Sequence, residues 1–149
     1  MHVRDLGEDP RPARGAVSEV HRVDRSATLH YSPDLDGLAD PGEIVWAWVP
    51  YEEDPDRGKD RPLLVVGRHG RKLLALMLSS RAGGGDPDDW LEIGPGQWDR
   101  ENRVSYLRLD RVFTLAEGDI RREGSVLDGA RFARVAAVLK RTHGWAADG

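Results

Sequence analysis

The sequence predicts a mostly-β domain: a small twisted barrel or half-barrel with one helix packed against it. Three observations carry this expectation. From Pro41 onward, short apolar runs of strand length recur between turn signals. Helical periodicity occurs once, near the C-terminus. The 149 residues, 39% of them hydrophobic, are enough for one core and not for two.

Residues 1–40 are polar, charge-mixed and Pro-containing, and are expected to form a flexible tail. Within them Ala27–Tyr31 (ATLHY) reads as a short edge strand. Composition changes at Pro41-Gly42, where a domain spanning 41–145 begins. Ile44–Val49 is apolar on both faces, with Trp46 and Trp48 on one side and Val45, Ala47 and Val49 on the other, so both faces need cover. Leu63–Val66 and Leu73–Leu78 flank the turn Arg68-His69-Gly70-Arg71 and read as a hairpin. Ser80–Asp89, with GGGDPDD inside it, is a loop. Trp90–Ile93 is a short strand, Gly94-Pro-Gly96 a turn, and Val104–Leu109 a strand continuing towards Phe113.

From Asp128, the residues Phe132, Val135, Ala136 and Leu139 follow the i, i+3, i+4, i+7 spacing of one helix face. Ser125 or Asp128 caps its start. Lys140, Arg141 and His143 suit its C-terminal end, and Gly144 terminates it. Residues 146–149 are expected to be a disordered end.

The net charge is −4, whereas nucleic-acid binders usually carry a basic balance. No cysteine is present, which excludes disulfides, thiolate metal sites and thiol nucleophiles. No apolar run reaches membrane-spanning length and no signal core opens the chain, so a cytoplasmic protein away from membranes is expected. Five scattered histidines (His2, His21, His30, His69, His143) give no metal-ligand spacing, and no metal or cofactor is expected.

Arg61 is the informative residue. An Arg-Pro pair at the mouth of a strand leaves a guanidinium at the rim, where its fork can meet phosphate or carboxylate. The plainer alternative is an ion pair with Asp60 or another loop acid. Ser79-Ser80 ends the third run, where a hydroxyl can donate to a phosphate or simply serve the turn. If the two runs pair as a hairpin, Arg61 and Ser79 emerge at the same end. Arg68, Arg71, Lys72 and Arg81 add positive charge around that hairpin, as an RNA track or as an edge that resists strand pairing. Trp98 in GPGQWDRE is either a stacking platform for a base or a core residue.

Taken together, "GEIVWAWVP", "RPLLVV", "LLALMLSS" and "SYLRLDRVFTL" with the closing helix resemble the PemK/MazF family of toxin endoribonucleases over about Pro41 to Trp145. The resemblance implies an SH3-like small barrel of the PemK/MazF/CcdB type that forms a homodimer. It implies metal-independent cleavage of single-stranded RNA and a cognate antitoxin whose extended tail covers the RNA groove. The family's catalytic arginine falls on Arg61 and its strand-end hydroxyl on Ser79, with Ser80 as the alternative register. A loop glutamate, Glu53 or Glu52, would orient the attacking hydroxyl, while Arg57, Lys59, Arg68, Arg81 and Trp98 would bind RNA. The loop YEEDPDRGKDRP departs from the family's Gly- and Gln-containing pattern. Its five acids against three bases between Glu52 and Arg61 would repel RNA by at most about 1 kcal/mol per close contact. A non-catalytic barrel that binds a protein, or a CcdB-like toxin acting on a topoisomerase, is the alternative. A buried ion pair locking Arg61 to Asp60 or Glu53 would favour it.

Overall fold

The computed structural model describes residues 18–20, 28–30, 39–69, 72–83, 86–144 and 146–148. In chain order the elements are β1 (Ser18–Val20), β2 (Thr28–His30), β3 (Glu43–Pro50), β4 (Gly58–His69), β5 (Lys72–Ser79), β6 (Trp90–Gly94), β7 (Ser105–Leu115), β8 (Arg121–Val126), α1 (Gly129–His143) and β9 (Ala146–Asp148). His2, His21 and Arg71 lie outside the described residues.

The three apolar runs become β3, β4 and β5, joined as antiparallel neighbours. The run Val104–Leu109 is part of the eleven-residue β7, which pairs with β5 on one side and carries β1 and β6 as well. From the first forty residues, β1 pairs with β7 and β2 with β4. The strand read at Ala27–Tyr31 is β2, and the last residues contribute β9, parallel to it.

The mostly-β character and the closing helix are present, but the expected SH3-like barrel is not. Pairing runs β1–β7–β5–β4–β2–β9, with β3 and then β8 branching from β4, and β6 branching from β7. Among the described residues no series of partners returns to its start, so the sheet is open. Closure would require its ends to pair, whereas β6 and β8 each pair with one neighbour only, β7 and β3 respectively. The β3–β8, β4–β5, β5–β7 and β6–β7 ladders each break register, with one to three extra residues on one strand, and such irregularities bend a sheet.

Each face of this sheet has its own core. Ile44, Leu64, Leu76 and Leu107 point to the face that α1 covers with Phe132, Val135 and Leu139. Val45, Ala47, Leu63, Ala75 and Phe113 gather on the other face. That second cluster unites side chains from β3, β4, β5 and β7, so the bent sheet wraps its own apolar surface without closing its ladder. Truncating a side chain here leaves a void. Leu64→Ala should lower stability by about 2–5 kcal/mol in urea denaturation.

Of the two cap candidates, Asp128 is the one used. Its carboxylate accepts from the Arg131 N–H at 3.1 Å, and Gly144 ends the helix in the left-handed conformation at φ 71°. Hydrogen bonding from the Arg131 side chain, then from the Arg131 backbone, holds this carboxyl below the usual aspartate range. A depressed carboxylate stabilises the fold above its unfolded-state pKa of about 3.9, and that contribution is lost as pH falls through the lower folded value. Asp128→Asn should therefore melt below the parent at pH 7, with the gap narrowing in strong acid. Thermal melts between pH 2 and 7 check it.

Candidate functional site

Arg61 does not open its strand, as the sequence suggested. β4 starts earlier, at Gly58, because Gly58 lets β4 run close against the Trp48 ring and the Val49 carbonyl of β3. A Cβ there would meet them at 2.6 and 2.3 Å. In the β3–β4 ladder Arg61 lies opposite Ala47 and Asp60 opposite Trp48. Successive strand residues face opposite ways, so Arg61 and its neighbour Asp60 are on different faces. Asp60 instead accepts from Arg121 at 2.9 Å. Among the described residues, no carboxylate lies within ion-pair distance of Arg61. Burial pushes its guanidinium below the usual arginine range. Tyr51 pushes it back up, Arg111 adds to the lowering and Glu53 opposes it.

Arg61 borders a cavity of about 310 Å³ whose wall also holds Tyr51, Glu53, Ser79 and Arg81. The hairpin geometry inferred from the sequence is thus realised: Leu63 pairs with Met77, and Arg61 and Ser79 project at the same end. The Ser79 Oγ accepts from the Arg81 N–H at 3.1 Å, which leaves the hydroxyl proton available for an incoming oxygen. Glu53 is exposed on the rim.

Two arginines that the sequence reading passed over complete the wall, Arg108 and Arg111, with 4% and 5% of their surface exposed. Arg108 lies over the Trp90 ring, 5.1 Å from its centre, and is held by Asp110 and by Glu52 at 3.3 Å. The Asp110 hydrogen bond outweighs burial and raises the Arg108 pKa. Arg111 lies 5.0 Å over Phe113 and donates to the Pro50 carbonyl at 3.1 Å. Its Nε and Nη2 meet Glu19 as a two-point fork, at 3.1 and 3.0 Å, and its Nη1 faces the Met77 sulfur at 3.8 Å. Four arginines and two glutamates line this wall, and Asp110 and Glu19, which pair with Arg108 and Arg111, bring the charges of the cluster into balance. The signal was present in SYLRLDRVFTL, where arginines interrupt an otherwise core-like strand and so require buried partners.

The other expected site residues are placed elsewhere. Ser80 is the first residue past β5 and is not on this wall. Arg57 is exposed in the acidic loop, where its backbone closes a turn with Asp54. Lys59 borders a second cavity of about 470 Å³, which shares Arg61 as a wall and is bounded by Trp46, Trp98 and Arg121. Trp98 is buried, its Nε1 donates to Ser105 at 2.8 Å, and Arg131 lies 5.5 Å over its ring. Arg68 sits at the far end of the hairpin, donating to the Ala39 carbonyl at 2.9 Å and pairing with Glu117 at 3.6 Å. The structure therefore brings Arg61, Ser79, Glu53 and Arg81 together, and keeps Arg68 apart.

No helix among the described residues is long and apolar enough to cross a membrane. A search of curated proteins returned no match. The family model of the PemK-like, MazF-like toxins of type II toxin-antitoxin systems matches residues 40–143, which hold every element from β3 to α1. With more than half of its length so matched, the chain belongs to this family of toxins.

Proposed function

We propose that the chain is a metal-independent endoribonuclease that cuts single-stranded RNA, the growth-inhibiting toxin of a pair whose antitoxin blocks it. The observation that carries this reading is the half-buried Arg61 guanidinium, with no carboxylate in ion-pair distance among the described residues, beside the Ser79 hydroxyl on the same cavity wall. A half-buried cation without a close counter-charge favours an anionic ligand over remaining empty. The protein-binding alternative loses its main support, because neither Asp60 nor Glu53 locks Arg61 in an ion pair. The homodimer and the cytoplasmic location belong to the same proposal.

The chemistry asks little of the protein beyond placement and charge. The ribose 2′-oxygen bonds to the adjacent phosphorus, and the bond from phosphorus to the 5′-oxygen breaks. The products are a 2′,3′-cyclic phosphate and a 5′-hydroxyl. Glu53 orients the attacking hydroxyl and takes its proton, while solvent returns one to the departing oxygen. Arg61 offsets charge on the phosphorane-like transition state, and Ser79 donates to a non-bridging oxygen. Arg61 remains a cation throughout, because arginine holds its proton at neutral pH even when burial lowers its pKa. Arg81, exposed on the rim, attracts the neighbouring backbone.

Purified protein should cut a mixed-sequence RNA in EDTA and leave 5′-hydroxyl ends. Arg61→Ala should lower the cleavage rate by about 10²–10³-fold, the loss typical when one transition-state donor is removed. Ser79→Ala should lose less. Folded protein that is free of antitoxin and fails to cut at high concentration would reject the reading.

A further inference from the structure

The Glu19–Arg111 fork joins two parts of the chain with different status. Arg111 is on β7, inside the family-matched region, and lines the cavity beside Arg61. Glu19 is on β1, which precedes that region by about twenty residues and is held to β7 by three residue pairs. Its carboxylate meets the Arg111 Nε and Nη2 through two oxygens at 3.1 and 3.0 Å. A phosphodiester presents two oxygens to a guanidinium in the same planar manner. The side chain of Glu19 is one-quarter exposed, whereas that of Arg111 is almost closed to solvent. Glu19, itself just outside the cavity wall, is thus the more accessible partner of a cation that forms part of that wall.

We propose that Arg111 is a second phosphate-binding position of the RNA cavity, and that Glu19 occupies it in the free protein as a built-in competitor. This rests on the ribonuclease reading. RNA entering the cavity sets a backbone phosphate on Arg111 and displaces the Glu19 carboxylate into water. The exchange reduces the net gain from this contact, and so restrains binding. The Pro50 carbonyl and the Phe113 ring keep the guanidinium in place during the exchange. The N-terminal segment is then a brake on the site.

The test measures binding of an uncleavable, fully 2′-O-methylated RNA across a salt series, with full-length protein. Glu19→Gln is compared with the parent and with Glu92→Gln, an exposed charge change on β6 away from both cavities. Each phosphate contact on a single strand contributes about −0.7 to the slope of log K against log salt. If Glu19 competes, Glu19→Gln tightens binding several-fold at low salt, and Glu92→Gln does so much less. Equal effects of the two variants, or weaker binding by Glu19→Gln, would overturn the proposal. Hydrogen exchange on the unmutated chain supplies a reading free of folding effects. The amides of Ser18–Val20 should exchange faster with RNA bound, and unchanged or increased protection would overturn the displacement. Binding of no RNA by any form would instead reject the ribonuclease reading.

Discussion

The face on which Arg61 lies decides the character of the site. β3 and β4 pair so that Arg61 shares a face with Val45, Ala47 and Leu63, while Asp60 turns to the other side. Adjacency in sequence therefore does not become an ion pair, and Asp60 meets Arg121 across the other face. If β4 slipped by one residue, every side chain would exchange faces, and Asp60 would take the place of Arg61 on the cavity side. Leu63–Val66 is apolar towards both faces, so the direction of the guanidinium follows from the β3–β4 register and not from the pattern of that run.

Carboxylates near the cavity are distributed by the same logic. Glu52 reaches Arg108, Glu19 reaches Arg111, and Asp54 turns back to accept from the Asp56 N–H at 3.3 Å. Glu43, fully buried at the head of β3, is satisfied by a fork from Arg122 at 2.6 and 2.9 Å. An unpaired charge at the buried positions, Glu43, Arg108 and Arg111, would cost several kcal/mol. Arg61, half-buried beside the fully buried Arg108 and Arg111, lacks such a counter-charge among the described residues. The bulk charge of −4 is therefore a poor guide to this surface, because a phosphate responds to charges within about one Debye length, ~8 Å at physiological salt.

Much of the fold was legible because its elements carry a period. Ile44–Val49, Leu73–Leu78 and the Phe132–Val135–Leu139 stripe were readable from apolar spacing, and they became β3, β5 and α1. β8 was not readable. Its sequence, RREGSV, has neither alternation nor an apolar run, and it is a strand because it pairs with β3 and sets Arg122 against Glu43. Barrel closure was equally beyond local pattern. Apolar runs of these lengths serve an open bent sheet as well as a closed one, and the difference lies in whether terminal strands find each other. At the site, Arg61 and Ser79 were found through residue type and hairpin logic. Arg108 and Arg111 were missed because charges inside an apolar strand read as solvent-facing until burial is known.

The acidic loop that made RNA binding look unfavourable becomes intelligible in the same terms. Of its five acids only Glu52 and Glu53 border the cavity. Asp60 is spent on Arg121 and Glu52 on Arg108, which ties the loop's two ends to opposite sides of the sheet. Glu53 remains at the rim, near enough to Arg61 to oppose the lowering of its pKa but not to pair with it. A carboxylate at that separation serves two purposes. It keeps the half-buried cation tolerable in the empty protein, and it leaves the guanidinium fork open to an anion that can approach more closely. A loop of glycine and glutamine would have no charge with which to do the first.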